Sequence, residues 1–113
     1  MRHAALASLL LLSSMGCSQN VGPSGLAIGG PCIDEFDCAA GSFCLRVGFP
    51  GGTCSTNCAM QDDCRGGSSC VEEADGVCLL TCTSDEDCGR EGYVCRERDR
   101  RGEVGRASVC VGG

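Results

Sequence analysis

Apolar residues are distributed along this chain in two different ways. Residues 4–12 are an unbroken run of Ala, Leu and Ser, preceded by Arg2 and His3 and followed by the small residues Ser13, Ser14 and Gly16. Nine such positions make a helix of about 14 Å, too short for a bilayer core of about 30 Å. The run is therefore expected to be a cleaved secretory leader over residues 1–16. Beyond it, apolar side chains come in short groups, without the sustained period of a long helix or strand. Short acidic stretches, IDEFD, AMQDD and TSDED, each predict one helical turn. Ser84 or Thr83 with Glu86 or Asp87 downstream has the form of an N-cap, and acids suit the positive end of such a turn. Hairpins are expected after each turn. Cys70-Val71-Glu72-Glu73 and Val77-Cys78-Leu79 flank Ala74-Asp75-Gly76, and Phe49-Pro50-Gly51-Gly52 reverses the chain after Val47. The third hairpin is expected to carry a longer loop over residues 96–107.

These elements repeat, and the cysteines mark the period. Of the 13 cysteines, Cys17 stands alone and the rest fall into three blocks of four. The blocks are Cys32, Cys38, Cys44 and Cys54; Cys58, Cys64, Cys70 and Cys78; and Cys82, Cys88, Cys95 and Cys110. An aspartate precedes each second cysteine (Asp37, Asp63, Asp87), and a glycine lies three residues before each third (Gly41, Gly67, Gly92). Block starts are offset by 26 and 24 residues, a strong repeat signal. The expected fold is a small disulfide-rich one: three tandem four-cysteine repeats, about 32–54, 58–78 and 82–110. Each is a short helical turn plus a β-hairpin, with little regular secondary structure. Spacing leaves three pairings open within each block. First-to-third with second-to-fourth is favoured, because it ties the turn to both strands of its hairpin.

Composition explains why cross-links are needed. Aliphatics among residues 31–113 are thin (Ile33, Leu45, Val47, Val71, Val77, Leu79, Leu80, Val94, Val104, Val109 and Val111), too few for a chain this short to stand without staples. Without its leader the chain has a net charge of −7 and lacks lysine, histidine and tryptophan. That balance argues against nucleic acid or an anionic surface as partner. It also removes Ser-His and Cys-His catalysis, because the single histidine, His3, departs with the leader. No enzyme activity and no cofactor are expected.

Ser14-Met15-Gly16-Cys17 resembles a bacterial lipobox, with Ser14 where leucine is usual. The resemblance implies lipidation of Cys17, which accounts for a cysteine outside the even set, and several acyl chains give durable anchoring. Ser18, in place of the aspartate that retains enterobacterial lipoproteins in the inner membrane, implies the outer membrane. Residues 17–30, uncharged and rich in Gly, Ser and Pro, are expected to form a flexible tether. The cysteine-rich domain would then occupy residues 31–113.

The pattern C-x5-C-x2-G-x2-C, ending in G-x-C, is similar to the Dickkopf N-terminal region and to EB modules of secreted animal proteins. It looks still more like short cysteine-rich lipoproteins of myxobacteria and related deltaproteobacteria. The resemblance spans residues 30–111 and implies a binding or structural unit without catalysis.

Other chemistry weighs less. Cys54-x3-Cys58 and Cys78-x3-Cys82 have near-finger spacing, but no histidines accompany them, and exported cysteines in even sets favour disulfides over zinc. Asp34, Glu35 and Asp37, with Asp85, Glu86 and Asp87, are dense in oxygen but match no EF-hand loop, so no metal is expected. Arg96-Glu97-Arg98-Asp99-Arg100-Arg101-Gly102-Glu103 reads as an exposed loop of alternating charge. The expected function is an exported, lipid-anchored binding or structural module of the outer membrane or cell surface, otherwise secreted or periplasmic, contacting protein or glycan. The alternative is a secreted inhibitor of trypsin-like proteases presenting Arg100 or Arg101 on that loop.

Overall fold

The computed structural model describes residues 20–113. The leader and the lipidation candidate Cys17 lie outside the described residues. Each block folds as a 3-10 turn followed by one antiparallel hairpin, and block two carries a further 3-10 turn, Glu73–Asp75, in its hairpin loop. The turns that precede the hairpins span Glu35–Asp37, Gln61–Asp63 and Asp85–Cys88. The hairpins are β1 (Phe43–Leu45) with β2 (Thr53–Ser55), β3 (Ser68–Val71) with β4 (Val77–Leu80), and β5 (Tyr93–Asp99) with β6 (Arg106–Gly112). Among the described residues, no helix is long and apolar enough to cross a membrane.

The repeat markers have physical jobs. Asp37, Asp63 and Asp87 each turn a carboxylate back to accept backbone N–H groups that open their own turn: Ile33 at 2.7 Å, Ala59 at 2.8 Å and Thr83 at 2.8 Å. This satisfies donors that a turn so short leaves without internal partners. Gly41, Gly67 and Gly92 adopt φ of 87°, 89° and 86°, the left-handed region where a side chain is disfavoured. The same backbone conformation therefore leads into each hairpin.

All twelve block cysteines form disulfides within their own block, first to third and second to fourth. Block one has Cys32–Cys44 and Cys38–Cys54. Block two has Cys58–Cys70 and Cys64–Cys78, and block three Cys82–Cys95 and Cys88–Cys110. Each turn is thus bolted to both strands that follow it.

The blocks also pair with one another. Cys58 N–H donates to Gly76 O and Cys78 N–H to Thr56 O, which lays the first linker along β4. Glu72 N–H donates to Asp99 O, and Arg101 N–H to Cys70 O, which joins block three to block two. A shared core of Val71, Val77, Leu79, Val109 and Val111 runs through these contacts with the buried cysteines.

Two expectations are corrected. Residues 20–30 are not a flexible tether; they form a compact strap that completes the core. Ala27 and Ile28 are 2% and 1% exposed. Gly29 N–H donates to Cys54 O, Gly30 O accepts from Cys54 N–H, and Leu26 O accepts from Ala39 N–H. Composition misleads here because the strap does not fold alone: its few apolar atoms join a core that the blocks supply. Gly29 permits the approach, since a Cβ there would lie 2.7 Å from Leu80 Cδ1. Secondly, residues 96–99 belong to strand β5, so the loop of the third hairpin is only 100–105.

Candidate functional site

Three features offered chemistry in the sequence, and the structure places each. In every block three sulfurs lie within 4.8 Å of one another, as in Cys58, Cys64 and Cys78. These are the neighbouring sulfurs of two disulfides. Oxidised sulfur is not the thiolate that zinc requires, so their closeness reflects stacked cross-links.

The acidic turns are also internally engaged. The Asp37 carboxylate is held below its ordinary range by the N–H groups of Ile33 and then Asp34. Asp87 is lowered by the Thr83 hydroxyl, at 2.7 Å, together with the Thr83 N–H. Asp34 accepts from Phe36 N–H and Asp85 from Cys95 N–H. One carboxylate oxygen of each of these four aspartates is thus taken up by a donor of the protein itself.

The arginine loop is bound down. Arg101 N–H donates to Cys70 O, Arg101 O accepts from Gln61, and Arg100 bridges to Val71. Side chains follow: Arg101 pairs with Glu72 at 2.9 Å, Arg98 with Glu73 at 2.8 Å, and Arg100 with Glu103. These pairs are half-exposed, worth about 0–1 kcal/mol each, and they hold position more than they stabilise. An inhibitor loop needs a free extended backbone to offer a protease; block two already occupies this one.

Two of the three large apolar residues that stand out on block one, Ile33 and Val47, count in the sequence as scarce core; Phe36 reads there only as part of an acidic turn. Ile33, Phe36 and Val47 are 73%, 89% and 93% exposed. Block alignment gives the comparison: Ile33 corresponds to Ala59 and Thr83, Phe36 to Asp62 and Glu86, and Val47 to Glu73 and Arg98. On one scaffold, block one alone places large apolar groups at all three positions. Ile33 also borders an open cleft of about 660 Å³, with Arg46, Phe49, Pro50 and Gly112. Acids Asp34, Glu35 and Asp37 rim Phe36 along the chain. The repeat alignment carried this signal; composition hid it by pooling exposed and buried apolar residues.

Opposite the cleft wall, Tyr93 is buried and gives its hydroxyl to Pro50 O at 2.9 Å. Arg90 stacks on the Tyr93 ring at 4.5 Å and donates to Gly29 O and Pro50 O, a latch between block three, block one and the strap. Burial raises the Tyr93 pKa, and the Arg90 charge opposes that rise.

Comparison with protein-family models, with curated proteins and with solved structures gives no match for this chain.

Proposed function

We propose that this chain is an exported, lipid-anchored, non-enzymatic module of the cell envelope, held at the outer membrane or cell surface through Cys17, that contacts a protein or glycan partner. The observation that carries this reading is the complete pairing of twelve cysteines in six disulfides, each closed inside its own repeat. Such a framework persists in oxidising compartments, and it leaves Cys17 as the one cysteine outside the scheme. The apolar trio Ile33, Phe36 and Val47 is the contact surface this reading assigns. Exposed aromatic and aliphatic side chains are of the kind that recognition surfaces bury. No observation favours the protease-inhibitor alternative, whose loop backbone is bonded to block two.

Intact-mass spectrometry of protein from the membrane fraction tests the export and anchor. The expected result is a gain of two hydrogens for each of six disulfides on reduction, with acyl mass on an N-terminal Cys17. Free thiols at all block cysteines, or an unacylated soluble product, would sink it. The surface is tested by Phe36→Asp, which installs block two's residue. Crosslinking to a partner at the envelope should fall while the disulfide masses stay unchanged.

A further inference from the structure

We propose that the strap of residues 20–30 and its neighbours form the face that lies against the lipid headgroups, so that the anchored body has one fixed orientation. This rests on the acylation of Cys17 proposed above.

Chain length supplies the first argument. Asn20 is the third residue after Cys17, and three residues fully extended span about 10 Å. Asn20 is itself fixed, because its carbonyl accepts from Ala27 N–H at 2.9 Å and Ile28 N–H at 3.0 Å. The strap in turn grips all three blocks: Cys54 and Ala39 in block one, Leu80 beside Gly29, and Gly89 against Pro23. A tether running to residue 30 would let the body rotate freely above the bilayer. A leash ending at residue 20 on a rigid strap does not.

Charge supplies the second. The body is strongly acidic, and the Debye length at physiological ionic strength is about 8 Å, so acids held within the leash length of an anionic leaflet would be repelled. Residues 20–33 carry no charge. The strap's neighbours Ala39, Gly67 and Leu80 lie in the acid-free stretches 38–61, 64–71 and 76–84. Charges beside these contacts are of both signs: Arg90, bonded to Gly29 O, with Glu91 next to it; Arg65, two residues before Gly67; and Asp37, two residues before Ala39, with its carboxylate turned onto Ile33 N–H. Asp87, near the Gly89 contact, has its carboxylate turned onto Thr83. Six further acids lie in the second and third hairpins, at Glu72, Glu73, Asp75, Glu97, Asp99 and Glu103. The exposed strap residues are Asn20, Pro23, Ser24 and the half-exposed Leu26. A strap whose own residues carry no charge is what can sit close to headgroups.

The far end is also identifiable. The strap packs at the Ser68–Leu80 end of the β3–β4 hairpin, whereas the 100–105 loop bonds at the Val71–Val77 end. Val104, 97% exposed on that loop, therefore points to the opposite pole.

The chain lacks tryptophan, so one introduced indole is a clean reporter. Leu26→Trp, Ser24→Trp and Val104→Trp proteins, produced with the native leader and checked by mass for acylation and six disulfides, would be placed in phosphatidylcholine vesicles carrying a headgroup nitroxide. Quenching should be several-fold stronger at positions 24 and 26 than at 104. A Gly-Ser insertion between Gln19 and Asn20 should abolish that difference. Equal quenching in acylated protein would overturn the orientation while leaving the anchor standing. Protein that reaches the envelope without acyl mass would overturn both.

Discussion

Cys70 and Cys78 stand directly opposite each other on β3 and β4, yet neither is bonded to the other. The same holds for Cys44 with Cys54 and for Cys95 with Cys110. Opposed residues of an antiparallel pair project from one face. A bond between them would only duplicate a connection the strand hydrogen bonds already make. Sending both sulfurs to the preceding turn adds a connection those bonds cannot supply, and it closes each repeat around a few buried side chains.

Block two is joined by backbone hydrogen bonds to the linker from block one and to block three, so its cross-links should matter most. Replacing Cys58 and Cys70 together by alanine is expected to cost about 2–4 kcal/mol, more than the same change at Cys32 and Cys44. Denaturant unfolding of the oxidised proteins measures the difference. Equal losses would show that the middle repeat has no special place.

Ile28→Ala separates a strap from a tether. Removing a fully buried isoleucine should cost about 2–5 kcal/mol, read as a lower unfolding midpoint. A midpoint unchanged from the parent would mean that the segment contributes nothing to the core.

The capping aspartates predict an acid limit. Asp37 and Asp87 titrate below 3.8 in the folded protein because N–H and hydroxyl donors favour the carboxylate. Folding then binds fewer protons than the unfolded chain near that pH. Their stabilisation is present above the unfolded value and is lost as pH falls through the folded one. In an NMR titration, the amide signals of Ile33 and Thr83 should move together with the carboxylates of Asp37 and Asp87 below pH 3.8. Midpoints at or above that value would remove the capping role.

Tyr93 predicts the alkaline limit, and as the single tyrosine it can be read by absorbance alone. Its pKa lies above 10.0 because burial disfavours the phenolate. The contribution of the neutral phenol is complete below 10.0 and declines as pH rises toward the folded value. Arg90→Ala removes the opposing charge, so the phenol should titrate later still in a protein that stays folded. An earlier titration would show that the latch had opened.

Limited trypsin digestion tests the bound arginine loop. Cleavage should begin after Arg46 or Arg65, both exposed and without an ion-pair partner among the described residues. Arg100 and Arg101 should be cut later, because their backbone is paired with block two. Stoichiometric inhibition of trypsin with slow cleavage at Arg101 would instead revive the inhibitor reading.

Much of the architecture could be read from cysteine spacing and its companions. Asp37, Asp63 and Asp87 recur because every turn needs an acceptor at one place, and Gly41, Gly67 and Gly92 because every hairpin begins with the same left-handed step. These demands act over a few residues, so they leave a periodic trace. The strap left none. Ala27 and Ile28 look like part of a polar linker until Cys54, Ala39 and Leu80 are folded beside them. Phe36 was equally ambiguous, because a large apolar residue in a lean sequence fits a core as well as a surface.

Local order was therefore written in the chain: three stapled repeats and the turn chemistry within each. Folding in three dimensions settled which apolar groups are covered, where residues 20–30 go, and how the arginine loop is held. Those outcomes depend on partners tens of residues away, and contact energy at such separations has no signature in neighbouring letters.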